Sequence, residues 1–267
     1  MSDTPRSKSD NVAAVLKVFS VLETLAEEGR SSLGDIAQRA MTSKATTHRL
    51  LQTMVDLGYA EQEEETEKYR LTLKLFGLGA RTLRGQTHLL QVADRAMGVL
   101  SRETGESINL GVMDDREQRV AYIHKYDSIF SLSMNSPLGK RNPLHSTSLG
   151  KALLAFRDET EIAERLSKMT FEKLAPKTIT DEATLREQLI HIREDGYSEE
   201  LEESEVGVRC MAVPIRDHLG KSIAAISISF PLLRFDPARK STYVRMLLDA
   251  GQTASKSLGF TARSKIP

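Results

Sequence analysis

The sequence is poor in cysteine and contains no tryptophan: among its 267 residues the single cysteine is Cys210. One cysteine excludes an internal disulfide framework and is typical of proteins from a reducing compartment. No apolar run reaches the roughly 18 residues that a transmembrane helix requires. Residues 1–11, MSDTPRSKSDN, lack the apolar segment of a signal peptide. We therefore expect a cytoplasmic protein that does not enter a membrane.

An excess of either charge is also missing, since 37 lysines and arginines balance 37 aspartates and glutamates. Net charge thus gives no indication of nucleic acid, membrane or acidic substrate, although a partner responds to a local patch rather than to a sum. The composition, 40% hydrophobic and 28% charged residues, is that of a globular protein. Its length fits one large domain or two smaller ones.

Helical spacing of apolar residues in the N-terminal part predicts a compact module of three helices. After a disordered tail at residues 1–10, the first helix is predicted near 11–28 and the second begins near Ser32. Ser43 is a plausible N-cap for the third, which runs to Leu57 before Gly58. A β-hairpin follows, with the acidic run 61–67 at its turn. This order predicts a winged helix-turn-helix domain over residues 11–72.

The remainder of the chain has a different pattern of predicted secondary structure, in which strands occur together with segregated helices. We predict a linker helix at 73–87 and an α+β domain at 88–260, followed by a tail at 261–267. The clearest strand pairs lie within 106–128 and 209–230, and each has a polar turn at its centre. The last helix is predicted from about Asp236 to Leu258.

The third helix of the N-terminal module carries the candidate DNA-reading surface. At 100° per residue, one side of the helix packs against the first two helices, and it consists of Thr47, Leu50, Leu51, Met54 and Leu57. The opposite side has small side chains near its start, followed by side chains that can donate hydrogen bonds. A helix that enters a major groove and contacts base edges requires this arrangement. We expect Arg49 to reach a guanine. The predicted DNA-binding residues are Ser43, Lys44, Ala45, Thr46, His48 and Arg49. The alternative is an ordinary solvated face, and the neighbouring helix and hairpin favour DNA binding.

Several longer segments together resemble the IclR-type bacterial transcriptional regulators over roughly residues 11–260. They are SKATTHRLLQTMVDLGYAEQ, YRLTLKLFGLG, NPLHSTSLGKALLA, EESEVGVRCMAVPIRD and AAISISF. The resemblance implies a curved antiparallel sheet in the second domain, a small carboxylate or keto acid as effector, and homodimers, often paired into tetramers, on operator DNA. Within the family, TEKYRLTLKLF and GKRNPLHSTSLGK are most similar to the repressors of pectin and 2-keto-3-deoxygluconate catabolism.

The same resemblance implies an effector site in the second domain. Its residues are Ser146, Thr147, Ser148, Leu149, Gly150, Glu200, Cys210, Ser227 and Ser229. Backbone N–H groups at the start of a helix suit a carboxylate on physical grounds. Ser227 and Ser229 alternate along one strand and therefore share a face. Glu200 stands where the family often has aspartate. The alternatives are that the serines face solvent and that Cys210 is a packing residue.

Enzyme motifs are incomplete. Ser148 to Lys151 matches S-x-x-K, but neither S-D-N nor K-T-G follows. His124 and His145 could approach Cys210 as a thiol hydrolase or metal site, although H-E-x-x-H and paired cysteines are missing. We expect no metal and no cofactor. The rival hypothesis is a small-molecule-processing enzyme with an N-terminal interaction module, whereas a purely architectural DNA-binding protein does not account for a second large domain.

Overall fold

The structure is a computed structural model that describes residues 8–82, 87–134 and 136–261. Contacts between Cα atoms separate two compact units, Met1–Gly85 and Gln86–Pro267. Within the described ranges, no helix is both long enough and apolar enough to cross a membrane.

The N-terminal unit has the order helix, helix, helix, hairpin and helix. Its elements are α1 (Lys8–Glu28), α2 (Leu33–Arg39), α3 (Lys44–Asp56), β1 (Ala60–Gln62), β2 (Tyr69–Leu71) and α4 (Leu73–Thr82). Apolar side chains from the first three helices and the hairpin form one core that includes Leu25, Ile36 and Leu51. A backbone bridge between Ser31 and Tyr69 fastens the α1–α2 connection to the hairpin. The predicted winged helix-turn-helix is therefore the fold of this unit.

Two of the expected boundaries in this region require comment. Helix α1 begins at Lys8, so the predicted disordered tail at 1–10 is wrong for residues 8–10. Residues 8–11 contain neither proline nor glycine, and nothing in them ends the helix. Residues 1–7 lie outside the described ranges, as do 83–86 of the predicted linker helix at 73–87 and 262–267 of the predicted C-terminal tail.

The C-terminal unit is built on a six-stranded antiparallel sheet of order β5-β4-β3-β8-β7-β6. Its strands are β3 (Ser107–Asp114), β4 (Arg119–Tyr126), β5 (Arg141–Pro143), β6 (Ser198–Leu201), β7 (Val208–Arg216) and β8 (Ser222–Pro231). Its helices are α5 (Thr87–Thr104), α6 (Ser148–Ala155), α7 (Glu159–Ser167), α8 (Glu182–Asp195) and α9 (Lys240–Ser257). The α+β prediction is confirmed. The last helix begins later than predicted because Asp236 caps a separate 3-10 turn at Pro237–Arg239.

Each face of this sheet has its own helical layer and its own core. Helices α5 and α9 cover one face, where Leu110, Met211 and Ile226 are fully buried. Helix α6 lies on the other face with α8 behind it, and all eight of its residues are buried. Gly150 permits this close approach, because a Cβ atom there would lie 2.3 Å from the carbonyl oxygen of Leu144. The start of α6 is thus pressed directly against the preceding loop.

Candidate functional site

The start of helix α3 is held by its N-cap. The Ser43 hydroxyl accepts a hydrogen bond from the backbone N–H of Thr46 at 3.2 Å and donates to the Thr46 hydroxyl at 2.9 Å. Capping satisfies one of the N–H groups that the first turn of a helix leaves unpaired. The helix consequently begins at Lys44, as the sequence predicts.

The exposed face of α3 carries the residues predicted to read DNA. Lys44, Ala45, His48 and Arg49 are exposed, as is the capping Ser43, and Thr46 is half-buried. Neither Lys44 nor Arg49 forms an ion pair with any residue that the structure describes. Unpaired donors on a protruding helix are available to phosphates and base edges. Their contact with DNA stays a prediction.

Thr47 lies on the opposite side of α3, as predicted from the helical wheel. It is completely buried, and its hydroxyl is within hydrogen-bond distance of the Thr42 hydroxyl and donates to the carbonyl of Ser43. These bonds fix the turn that precedes the helix. Thr47 is therefore a structural residue of the turn and core. The packing predicted for Leu57 is wrong, since α3 ends at Asp56 and the side chain of Leu57 is 55% exposed.

The second candidate site lies on the face of the large sheet that α6 covers. Cross-strand pairing places Glu200, Cys210, Ser229 and Ser107 in one row across strands β6, β7, β8 and β3. The adjacent row, two residues along each strand, consists of Ser198, Ala212, Ser227 and Asn109. Four of the predicted effector residues are thus brought into one polar patch. All members of both rows are buried, so the alternative that Ser227 and Ser229 face solvent is wrong.

Hydrogen bonds connect the two rows at Ser229. The thiol of Cys210 donates to the Ser229 hydroxyl at 3.2 Å, and the side-chain amide of Asn109 donates to the same oxygen at 3.3 Å. Burial raises the pKa of Cys210 well above its ordinary value, so the thiol stays protonated at neutral pH. A protonated thiol is a poor nucleophile. This geometry contradicts the alternative of a thiol hydrolase.

Glu200 is the carboxyl group of the first row, and it turns toward its own loop. Its Oε1 accepts from the backbone N–H of Ser204 at 3.0 Å and from the Ser204 hydroxyl. Burial raises the pKa of Glu200 above its ordinary value, although the bonds from Ser204 oppose that shift. The patch therefore holds a carboxyl group that is poorly solvated when it is ionised.

The loop before α6 closes over this patch. The Thr147 hydroxyl caps the helix by accepting from the N–H of Gly150 at 3.1 Å, and it donates to the carbonyl of Pro143 at 3.0 Å. The Gly150 N–H is therefore engaged by the cap. The Ser148 and Leu149 N–H groups precede the first internal bond of the helix, Lys151 N–H to Thr147 carbonyl. They are the donors that a carboxylate could reach.

Ser198 connects the loop to the sheet, whereas the hydroxyl of Ser146 is left unpaired. The hydroxyl of Ser198 donates to the carbonyl of Ser148 at 2.6 Å, which joins the start of α6 to the second row. The hydroxyl of Ser146 is buried and has no hydrogen-bond partner among the described residues. An unpaired buried hydroxyl is costly unless a ligand or water satisfies it.

The histidines do not assemble a catalytic or metal site with Cys210. His124 Nε2 lies 2.8 Å from Asp94 Oδ1, and His145 Nε2 lies 3.0 Å from the carbonyl of Glu172. Among the residues that the structure describes, no group of three His, Cys, Asp or Glu side chains is placed to hold a metal ion.

A buried ion pair beside the patch was missed at the sequence level. Lys151 is fully buried, and its Nζ donates to both carboxylate oxygens of Glu203 at 2.7 Å and to Gln188 Oε1 at 2.9 Å. The signal was a lone lysine within the apolar run SLGKALLA. Ser107 and Asn109 were also missed, although they alternate with apolar residues along β3.

Comparisons with known proteins agree with this architecture. Residues 14–64 match the IclR helix-turn-helix domain, and residues 82–256 match the bacterial transcriptional regulator IclR C-terminal domain. The chain is 48% identical over 251 residues to the HTH-type transcriptional regulator KdgR of Escherichia coli, and the match covers 94% of each protein.

Solved structures show the same fold. The crystal structure of the Thermotoga maritima IclR is 29% identical, with a TM-score of 0.81 over 93% of this chain and 100% of that chain. An IclR homolog from Microbacterium hydrocarbonoxydans, complexed with 4-hydroxybenzoate, is 29% identical with a TM-score of 0.76, covering 92% of this chain and 98% of that chain. Both domain matches belong to regulators rather than to enzymes. The chain therefore belongs to the IclR family of bacterial transcriptional regulators, and its function is DNA-binding regulation of transcription.

Proposed function

We propose that this protein is a cytoplasmic repressor of sugar-acid catabolism whose operator binding is controlled by a small keto or sugar acid such as 2-keto-3-deoxygluconate. The similarity to KdgR over nearly the whole chain supports sugar-acid catabolism as the regulated pathway. The observation that carries the effector class is the pair of polar rows beneath the start of α6. Hydroxyl and amide groups suit a polyhydroxy ligand, while the N–H groups of the first helical turn suit its carboxylate.

In this proposal the two regions have separate tasks. Residues 11–72 bind double-stranded operator DNA through α3, and residues 88–260 bind the effector. Effector binding changes operator affinity by preferring one of two conformations, as any ligand-driven shift requires. The protein acts as a homodimer or a dimer of dimers, because one winged helix offers few phosphate contacts.

The effector arm is tested by thermal-shift screening of keto acids and sugar acids. A hit is then titrated by calorimetry into the wild type and the Ser227→Ala and Ser229→Ala variants, with Ser241→Ala as control, since that serine is exposed on α9. We expect the Ser227→Ala and Ser229→Ala variants each to bind the hit about 5- to 30-fold more weakly. This loss corresponds to one hydrogen bond of about 1–2 kcal/mol. Unchanged affinity in both pocket variants contradicts the assigned site.

The DNA arm is tested with Arg49→Ala. We expect operator affinity in a gel-shift titration to fall about 5- to 150-fold, the equivalent of losing a bidentate base contact of about 1–3 kcal/mol. Effector-induced thermal shifts should remain those of the wild type. Arg116→Ala is the matched control, because that exposed arginine lies in the β3–β4 turn of the other unit. Equal operator affinity for Arg49→Ala and Arg116→Ala would refute the reading role of Arg49.

A further inference from the structure

Asn109 supplies the one amide side chain of the two polar rows beneath α6. It lies on β3 between Ile108 and Leu110, whose side chains enter the core on the opposite face of the sheet. Asn109 itself is 1% exposed. An amide is costly to bury without partners, so the hydrogen bonds that it forms indicate its role.

The oxygen of Ser229 receives two hydrogen bonds from its neighbours in the sheet. The side-chain Nδ2 of Asn109 donates to it from β3 at 3.3 Å, and the thiol of Cys210 donates to it from β7 at 3.2 Å. A hydroxyl oxygen has two lone pairs and one proton. Both lone pairs of Ser229 are therefore engaged, and only its proton is left to form a further bond.

Both groups that bond to Ser229 stay donors at neutral pH. The amide nitrogen of Asn109 has no lone pair to offer and acts only as a donor. Burial raises the pKa of the Cys210 thiol, so the thiol keeps its proton. Sulfur is also a weak acceptor, and the thiol does not compete for the proton of Ser229. The two bonds thus fix Ser229 as a donor toward any ligand.

The proton of Ser229 has no acceptor within the described ranges of the chain, and the residue is 5% exposed. A buried donor without an acceptor is costly. A ligand that presents an acceptor oxygen to Ser229 therefore gains affinity. A carbonyl or carboxylate oxygen meets this need directly, because it has lone pairs and no proton, whereas an ammonium group has only donors.

We propose that Asn109 determines effector specificity by holding Ser229 as a donor to the keto oxygen of a 2-keto acid. This role rests on the proposed function and narrows its effector class. The carboxylate of such an acid has its own donors in the N–H groups of Ser148 and Leu149, at the start of the helix that packs on β7 and β8. The oxygen that remains for Ser229 is the keto oxygen on the adjacent carbon.

The corresponding 2-hydroxy acid provides the contrast, because reduction of the keto group adds one proton to this oxygen. In the wild type that proton meets a Ser229 oxygen whose lone pairs are both engaged, and it needs another acceptor inside a buried patch. Asn109→Leu removes the amide and frees one lone pair, so Ser229 can then accept as well as donate. The variant should therefore lose the preference for the keto acid.

Calorimetric titration of 2-keto-3-deoxygluconate and of its borohydride-reduced 2-hydroxy product measures this preference in the full chain. We expect the wild type to bind the keto acid at least about 5-fold more tightly, the effect of one unsatisfied buried group. In Asn109→Leu the ratio should fall below about 2-fold, since Ser229 then satisfies either oxygen. Ser222→Ala is the control and should keep the wild-type ratio, because that hydroxyl is also buried on β8 but bonds the carbonyl of Ala224, outside the polar rows.

The lone cysteine of the chain gives a second readout that requires no change at Asn109. Its S–H stretching band in the infrared spectrum reports the bond from Cys210 to Ser229. Hydrogen bonds in a chain strengthen one another, so a Ser229 hydroxyl that donates to a ligand becomes a better acceptor for the thiol. The band should move to lower wavenumber when the keto acid binds, and Ser229→Ala should abolish this movement.

The two readouts separate the role of Asn109 from the proposed function. If the keto acid binds to the wild type but the S–H band stays in place, or if Asn109→Leu keeps the wild-type ratio, the role of Asn109 is wrong and the proposed function stands. If no keto or sugar acid binds to the wild type, the proposed function is wrong as well. Circular dichroism must show that Asn109→Leu is folded; where it is not, Asn109→Ala replaces it and the S–H band of the wild type still decides.

Discussion

Replacing the buried lysine of α6 should show how strongly the stability of the C-terminal unit depends on one ion pair. Lys151 is 0% exposed and Glu203 is 8% exposed, with their charged atoms 2.7 Å apart. Lys151→Met retains most of the length of the side chain but leaves the Glu203 carboxylate buried without its cation. Breaking a buried pair from one side costs about 3–5 kcal/mol. We expect a loss of that size in the free energy of unfolding.

The same geometry predicts that removing both charges costs much less than removing one. Burial raises the pKa of Glu203 even though Lys151 opposes the shift, so desolvation outweighs the attraction within the pair. Lys151→Met combined with Glu203→Gln removes both charges of the buried pair. The double variant should therefore recover more than half of the loss, as expected for pairs whose desolvation cancels their attraction.

Scanning calorimetry of the full chain is the suitable assay, because two units need not unfold in one transition. The transition of the C-terminal unit should move to lower temperature in Lys151→Met and return most of the way in the double variant. Lys168→Met is the control: its ion pair with Glu164 is exposed, and surface pairs contribute about 0–1 kcal/mol. If Lys151→Met costs no more than Lys168→Met, or if the double variant is as unstable as the single one, the reasoning is wrong.

Three further predictions concern single groups. Gly150→Ala should lower the melting temperature of the C-terminal unit more than Lys151→Met, since the new methyl would lie 2.3 Å from the Leu144 carbonyl; an unchanged melting temperature contradicts the close packing. Ser43→Ala should cost about 1 kcal/mol in the N-terminal transition by uncapping α3, and equal stability by calorimetry would show that the cap is dispensable. The raised pKa of Glu200 means that the folded state holds its proton more tightly than the unfolded chain does. The free energy of unfolding should therefore fall as pH rises from the unfolded value of about 4.3 toward the higher folded value. Glu200→Gln should flatten this dependence in urea titrations at several pH values; a parallel profile refutes the assignment.

The N-terminal module could be predicted almost entirely from local signals. Ser43 caps α3 where the sequence indicates, and Thr47 is buried where the helical wheel places it. Both depend on residues within a few positions of one another. The start of α1 was misplaced, because helix ends extend wherever nothing stops them. Leu57 was wrongly expected to pack, because it follows the end of α3 and is 55% exposed.

The polar patch beneath α6 could be predicted only in part, because its members meet through the sheet. The alternation of Ser227 and Ser229 is visible in the sequence, but their neighbours across the sheet depend on register between distant strands. Asn109 and Ser229 are 120 residues apart, and Lys151 and Glu203 are 52 apart. Strand β6, which carries Glu200, has four residues and no local signature strong enough to identify it.

The two faces of strand β8 are lined by different kinds of side chain. Ser227 and Ser229 face the patch, while Ile226 and Ile228 face the helices α5 and α9. Under the proposed function, a change at either serine would alter which acid is recognised without repacking the opposite core. A change at either isoleucine would lower stability whatever the ligand. The proposed function thus separates ligand choice and stability onto opposite faces of one strand. Among related proteins we expect the positions of Ser227 and Ser229 to vary and the positions of Ile226 and Ile228 to remain apolar.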